Sequence, residues 1–71
     1  MKKIEKIKIS TEFIKLDQFL KYVGICVSGT EAKNLIINSE IKVNDEFEMR
    51  RGRKLYPEYK VEVLNRIFII E

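Results

Sequence analysis

The sequence predicts an α+β fold: two short helices joined by a tight turn, packed on a small antiparallel sheet of four to five short strands. Three observations carry this expectation. Leu16, Phe19, Leu20 and Val23 recur at the i, i+3, i+4, i+7 spacing that gathers side chains on one helical face. Ser28-Gly29-Thr30-Glu31 has the form of a capping box and is followed by Ala32, Leu35 and Ile36 at helical spacing. From Ile41 onward, apolar and polar residues alternate in short runs separated by turn residues.

Each element has a local reason. Ile7 and Ile9 are two apart among lysines, which predicts a short first strand. Ser10 to Lys15 reads as a connection, with Phe13 and Ile14 turned inward. In the first helix, Asp17 lies in the first turn and Lys21 in the last, each complementing the helix dipole. Gly24 is placed to end that helix in a left-handed conformation. In the second helix Ser28 caps the third amide, and Ala32, Leu35, Ile36 and Ser39 face inward. Thr30, Lys33 and Asn34 face away, and Ile37 falls on the outer side. Ile41 and Val43 alternate with Lys42 and Asn44, and Asn44-Asp45 is a hairpin turn signal. Phe47 and Met49 are expected on the returning strand. Leu55-Tyr56-Pro57 breaks the pattern. Lys60 to Leu64 alternates as a strand, Asn65-Arg66 reads as a turn, and Ile67 to Ile70 as the last strand.

The 71 residues fit one small domain, residues 1–71, without an internal repeat or low-complexity segment. Hydrophobic content of 45% and charged content of 35% describe a globular chain rather than a disordered one. A formal net charge of +3 favours a polyanionic partner. No apolar run approaches the roughly 20 residues that span a bilayer, and Met1 to Ile9 lacks the apolar core of a signal peptide. Cys26 is a lone cysteine and cannot form an internal disulfide. Its neighbours Ile25 and Val27 mark it as a small buried hydrophobe. The expected location is cytoplasmic.

The densest charge is Arg50-Arg51-Gly52-Arg53-Lys54, four cations within five residues. An arginine fork matches a phosphate and also stacks on bases, so three arginines beside a glycine point to a polyanion contact. Gly52 would let the backbone turn or approach closely.

In order and spacing, Leu16-Asp17-Gln18-Phe19-Leu20, Gly24, Ser28, Ala32, Leu35-Ile36 and Ile41-Lys42-Val43-Asn44 resemble the RNA-binding domain of the small-subunit ribosomal protein S-four type, the αL motif. The resemblance covers about residues 15–64. The run from Arg50 to Pro57 is similar to its small stand-alone, YaaA-like branch. The sequence departs from the family pattern at several places. Lys15 and Gly29 stand where the family usually has arginines. Ser39-Glu40 replaces a glycine before the hairpin, Asp45 replaces the glycine after Asn44, and Glu58-Tyr59 replaces Gly-Asp.

The resemblance implies a wedge-shaped module that docks on structured RNA, ribosomal RNA above all, in the setting of ribosome assembly or ribosomal particles. The expected contacts are Lys15 at the first helix, Ser28, Thr30, Lys33 and Asn34 on the second, Lys42 and Asn44 on the hairpin, and Arg50, Arg51, Arg53 and Lys54 in the basic run. The amides of Gly29, Thr30 and Glu31 add a phosphate-binding helix terminus. Asn44 has an equal claim as a turn former. Tyr56 and Tyr59 are read mainly as core or rim, so binding is expected to follow RNA shape without an aromatic platform. Lys2, Lys3, Lys6 and Lys8 read as a solvated strand face. Asp45, Glu46 and Glu48 read as turn or solvated residues that dilute the positive potential at the hairpin.

Two other classes remain open. A protein-interaction adaptor could use the hairpin, or Ile67 to Ile70 as a sheet edge. Duplex DNA binding by the helix pair has only Lys33 and Asn34 as base readers. An enzyme is not expected: the chain has no histidine and no Gly-rich phosphate loop, so no cofactor, metal or small-molecule substrate is expected either.

Overall fold

The computed structural model describes residues 3–38 and 40–71. The expectations for Lys2 and Ser39 fall outside the described residues. Among the described residues, seven strands and two helices follow the order β1 (Lys3–Ile7), β2 (Ile14–Lys15), α1 (Leu16–Tyr22), α2 (Gly29–Ile37), β3 (Ile41–Val43), β4 (Glu46–Phe47), β5 (Lys54–Leu55), β6 (Lys60–Val63) and β7 (Arg66–Ile70). Five of the strands form one sheet in the order β1-β7-β6-β3-β4, and β2 pairs with β5 in a separate two-stranded ladder.

The helices form for the reasons their sequences suggest. In α1 Leu16, Phe19 and Leu20 are fully buried. Its end is set by Gly24 at φ +82°, where the missing Cβ removes the usual penalty. In α2 the Ser28 hydroxyl accepts from the Glu31 amide at 3.2 Å. Ala32 and Ile36 are buried on the inner face, Leu35 is partly buried, and Ile37 points to solvent.

The sheet turns one face to the helices. Ile41, Val43, Val61, Val63, Phe68 and Ile70 all fall on it and all are buried. The register places Ile41 opposite Val63, Val43 opposite Val61, and Val61 opposite Phe68. Phe19 meets Phe68 edge-on with ring centroids 5.4 Å apart, joining α1 to the sheet. Aromatic pairs in this geometry add roughly 0.5–1.5 kcal/mol beyond area burial. Cys26 lies in the same core, and burial, helped by the charge of Glu31, raises its thiol pKa, so the sulfur stays a protonated packing atom.

The α+β class stands, and four details differ from the expectation. First, β1 pairs with β7 in parallel, whereas the remaining neighbours in the sheet are antiparallel. The pair is clamped by Glu5, whose carboxylate accepts from Arg66 Nε at 2.8 Å and Nη2 at 3.0 Å. Second, this pairing buries β7 between β1 and β6, so Ile67 to Ile70 is not a sheet edge. The edges of the five-stranded sheet are β1 and β4. Third, the turn between β6 and β7 is Leu64-Asn65, both at positive φ, and Arg66 already belongs to the strand. The apolar Leu64 extends the alternation of β6 in sequence but lies outside it, more than half exposed. Fourth, Ile14-Lys15 and Lys54-Leu55 are paired strands instead of connecting chain, and Met49 lies beyond the two-residue β4.

Candidate nucleic-acid interface

The β2–β5 ladder builds a strongly basic locality. Its register sets Lys15 directly across from Lys54 and Ile14 across from Leu55. The intervening basic run closes on itself, with the Arg53 amide donating to the Arg50 carbonyl at 3.2 Å. It then lies against the start of α1. The amide of Leu16 donates to the Arg53 carbonyl at 2.8 Å, and that of Asp17 to the Arg51 carbonyl at 3.1 Å. Two first-turn donors of α1, which a short helix cannot satisfy internally, are thereby paired with the loop. A single locality therefore holds the cations Lys15, Arg50, Arg51, Arg53 and Lys54 together with the carboxylates Asp17 and Glu48.

Glu48 organises this loop. It is buried, at 7% exposure, whereas the sequence suggested a solvated strand position. Its carboxylate accepts from the Met49 and Arg50 amides at 3.1 Å each. It also accepts from Arg50 Nε at 3.0 Å, Arg50 Nη2 at 3.3 Å and Arg53 Nη1 at 2.8 Å. The Arg50 side-chain bond, opposed by burial and reinforced by the Arg50 amide, the Arg50 charge and Arg53, holds its carboxyl down at about 2. The Glu48 amide in turn donates to the Ile41 carbonyl at 2.9 Å, tying the loop's base to β3. Glu48 thus orients two arginines from a buried position, while its negative charge offsets part of theirs.

The arginines differ in what remains for a ligand. Arg50 is 73% exposed despite its pairing. Arg51 is also mostly exposed, with a long 3.8 Å contact to Asp17. Arg53 is more enclosed, between Glu48 and the ring of Tyr59, whose centroid is 5.8 Å away. Lys54 lies over Phe13 at 4.9 Å. Gly52 occupies the turn at an ordinary φ, and a Cβ there would meet only open space. The turn therefore does not require a left-handed residue at this position.

Beside the basic loop, Phe13, Tyr56 and Tyr59 form a cluster of rings with centroid separations of 5.8 and 5.7 Å. This ring cluster sits at core and rim, as the sequence suggests: Tyr59 is partly buried against the core and Tyr56 lies at its exposed edge. The cause of the cluster is a turn in which the Tyr59 amide donates to the Tyr56 carbonyl at 3.1 Å. Pro57 stands at its second position and Glu58, at φ +79°, at its third, the form of a type II turn. Phe13 joins from 43 positions earlier in the chain, so no local pattern could announce it.

The other expected contacts lie on different elements. Thr30, Lys33 and Asn34 are exposed on α2, and Ser28 is its cap. That bond occupies the Glu31 amide, leaving Gly29 and Thr30 to present theirs at the helix start. Lys42 lies over the Phe47 ring at 5.0 Å. Asn44 is structural: its side chain accepts from the Lys60 amide at 2.9 Å, and its own amide donates to the Lys60 carbonyl at 2.8 Å. Next to it, Asp45 binds Lys60 at 2.6 Å, which lowers its pKa. Both Asn44 and Asp45 have positive φ, at 52° and 71°, as a two-residue hairpin requires. The described residues contain no group of three or more side chains placed to hold a metal ion, and no helix long and apolar enough to cross a membrane.

The family model described as the S4 domain matches residues 7–71. The chain is also similar to the "Probable ribosome maturation protein RlbA" of Bacillus subtilis (strain 168), with 49% identity over 57 residues that span 80% of each chain.

Proposed function

Because the chain belongs to the S4 domain family, we propose that it is a non-catalytic RNA-binding module that docks on structured ribosomal RNA during ribosome maturation. Its expected place of action is the cytoplasm. The observation that carries the proposal is the meeting of Lys15, Arg51 and Lys54 with the Glu48-held pair Arg50 and Arg53 beside the start of α1. Such a surface suits RNA helices, which are recognised by shape, phosphates and 2′-hydroxyls because their major groove is too narrow for side chains. The exposed Thr30, Lys33 and Asn34 on α2, and Lys42 on the hairpin, extend the proposed contact. An adaptor role through β7 has no support, since that strand is paired on both sides.

The test uses Lys15, Arg51 and Lys54, not Arg50 and Arg53, because removing the latter would strip a buried carboxylate of its partners. Wild type and a Lys15→Gln/Arg51→Gln/Lys54→Gln variant are titrated with ribosomal RNA fragments and with duplex DNA at two salt concentrations. The expected result is salt-sensitive, RNA-preferring binding, weakened in the variant with a salt slope lower by about one for each lost phosphate contact. A folded variant that binds RNA as wild type does, or tighter binding to duplex DNA, would refute it.

A further inference from the structure

We infer that Tyr56 is a stacking site for one unpaired base of the target RNA, placed next to the phosphate-binding loop. This rests on the RNA-binding function proposed above and goes further by naming the kind of nucleotide bound and the residue that binds it. Two rings meet Tyr56, and both are already engaged by cations: Phe13 by Lys54 at 4.9 Å and Tyr59 by Arg53 at 5.8 Å. The central ring, Tyr56, carries no cation among the described residues and remains 37% exposed.

Its position is held from several sides. Phe13 and Tyr59 buttress the ring, and the bond between the Tyr59 amide and the Tyr56 carbonyl closes the turn beneath it. Leu55, the preceding residue, is fully buried, and the Glu58 amide donates to the Ile70 carbonyl of β7 at 2.7 Å. A ring supported in this way loses little conformational freedom when a base stacks on it. Tyr56 is also only two residues from Lys54, which faces Lys15 across the ladder. A base on Tyr56 therefore brings its flanking phosphates to the same cations that contact the RNA backbone. Stacking requires a base outside a duplex, because a paired base has both faces covered by its neighbours. The favoured RNA has a helix interrupted or ended by an unpaired nucleotide.

The experiment compares two RNA hairpins of equal length, one fully paired in its stem and one with a single bulged 2-aminopurine. Wild type, Tyr56→Leu and Tyr56→Phe are titrated with each, and 2-aminopurine fluorescence reports stacking directly. Wild type should prefer the bulged hairpin and quench the fluorophore. Tyr56→Leu should lose about 5- to 150-fold in affinity for the bulged hairpin, the range of one base–aromatic stack, and almost none for the paired one. Tyr56→Phe should bind and quench as wild type does, which also separates loss of the ring from loss of folding. Equal affinity of wild type for both hairpins without quenching overturns the stacking site and leaves RNA docking intact. Equal weakening of Tyr56→Leu on both hairpins also overturns it. Failure of wild type to bind either hairpin at low salt overturns RNA docking itself, and the stacking site with it.

Discussion

Replacing Glu48 by glutamine removes the charge that two arginines share while preserving the size of the side chain and an oxygen for the Met49 and Arg50 amides. The native carboxyl is held at about 2, against an ordinary value of 4.5. At face value that displacement corresponds to about 3 kcal/mol. Arg50 is largely in water, so solvent screening reduces the expected net loss to about 1–1.5 kcal/mol at pH 7. In a domain of this size, each kcal/mol lowers the melting temperature by about 4–8 °C. A carboxyl whose pKa falls on folding contributes stability that is complete above its unfolded value and lost as pH falls through its folded value. The gap between wild type and Glu48→Gln should therefore be full above about pH 5 and should close between pH 4.5 and about 2. Glu5 and Asp45 are also held low, by Arg66 and Lys60 respectively, but they act equally in both proteins and cancel in the difference. Urea denaturation of the pair from pH 7 to pH 2.5 measures the gap. No gap at pH 7, or one that stays constant across that range, would refute the assignment of Glu48 as the anchor of the loop.

Three further outcomes are expected. Gly24→Ala forces a Cβ into φ +82° and should cost about 1 kcal/mol by thermal melting, whereas Gly52→Ala, at ordinary φ and in open space, should leave the melting temperature within a degree or two. Ser28→Ala removes the acceptor for the Glu31 amide, and chemical denaturation should show a loss of about 1 kcal/mol. Phe68→Ala empties the partner of Phe19 at the centre of the core and should cost about 3–5 kcal/mol, enough to leave a large unfolded fraction by circular dichroism. Phe68→Leu should retain a cooperative transition.

Much of the candidate interface could be read from the residues one at a time, and little of its arrangement could. The basic run from Arg50 to Lys54 is visible as charge, but its contact with α1 depends on the carbonyls of Arg51 and Arg53 meeting the amides of Leu16 and Asp17, more than thirty positions away. Glu48 looks like any acid in a polar stretch until the Ile41 carbonyl and two guanidinium groups enclose it. Leu64 continues an alternating pattern and so reads as strand. The backbone nevertheless turns there, because the register of β6 against β7 pairs Val63 with Arg66 and leaves only two residues for the turn.

The helices, their caps, the hairpin at Asn44-Asp45 and most of the core were determined by the sequence itself. Apolar spacing, capping residues and turn formers act through neighbours a few positions apart, and their physics is therefore written locally. Tertiary structure decided the rest: the parallel pairing of β1 with β7, the β2–β5 ladder, the burial of Glu48 and the meeting of Phe13, Tyr56 and Tyr59. These features join residues distant in the chain. A local pattern specifies which face of a segment is apolar, but not which distant segment will cover it. That choice is made only when the whole chain closes around Phe19 and Phe68 and every buried polar group must find its partner.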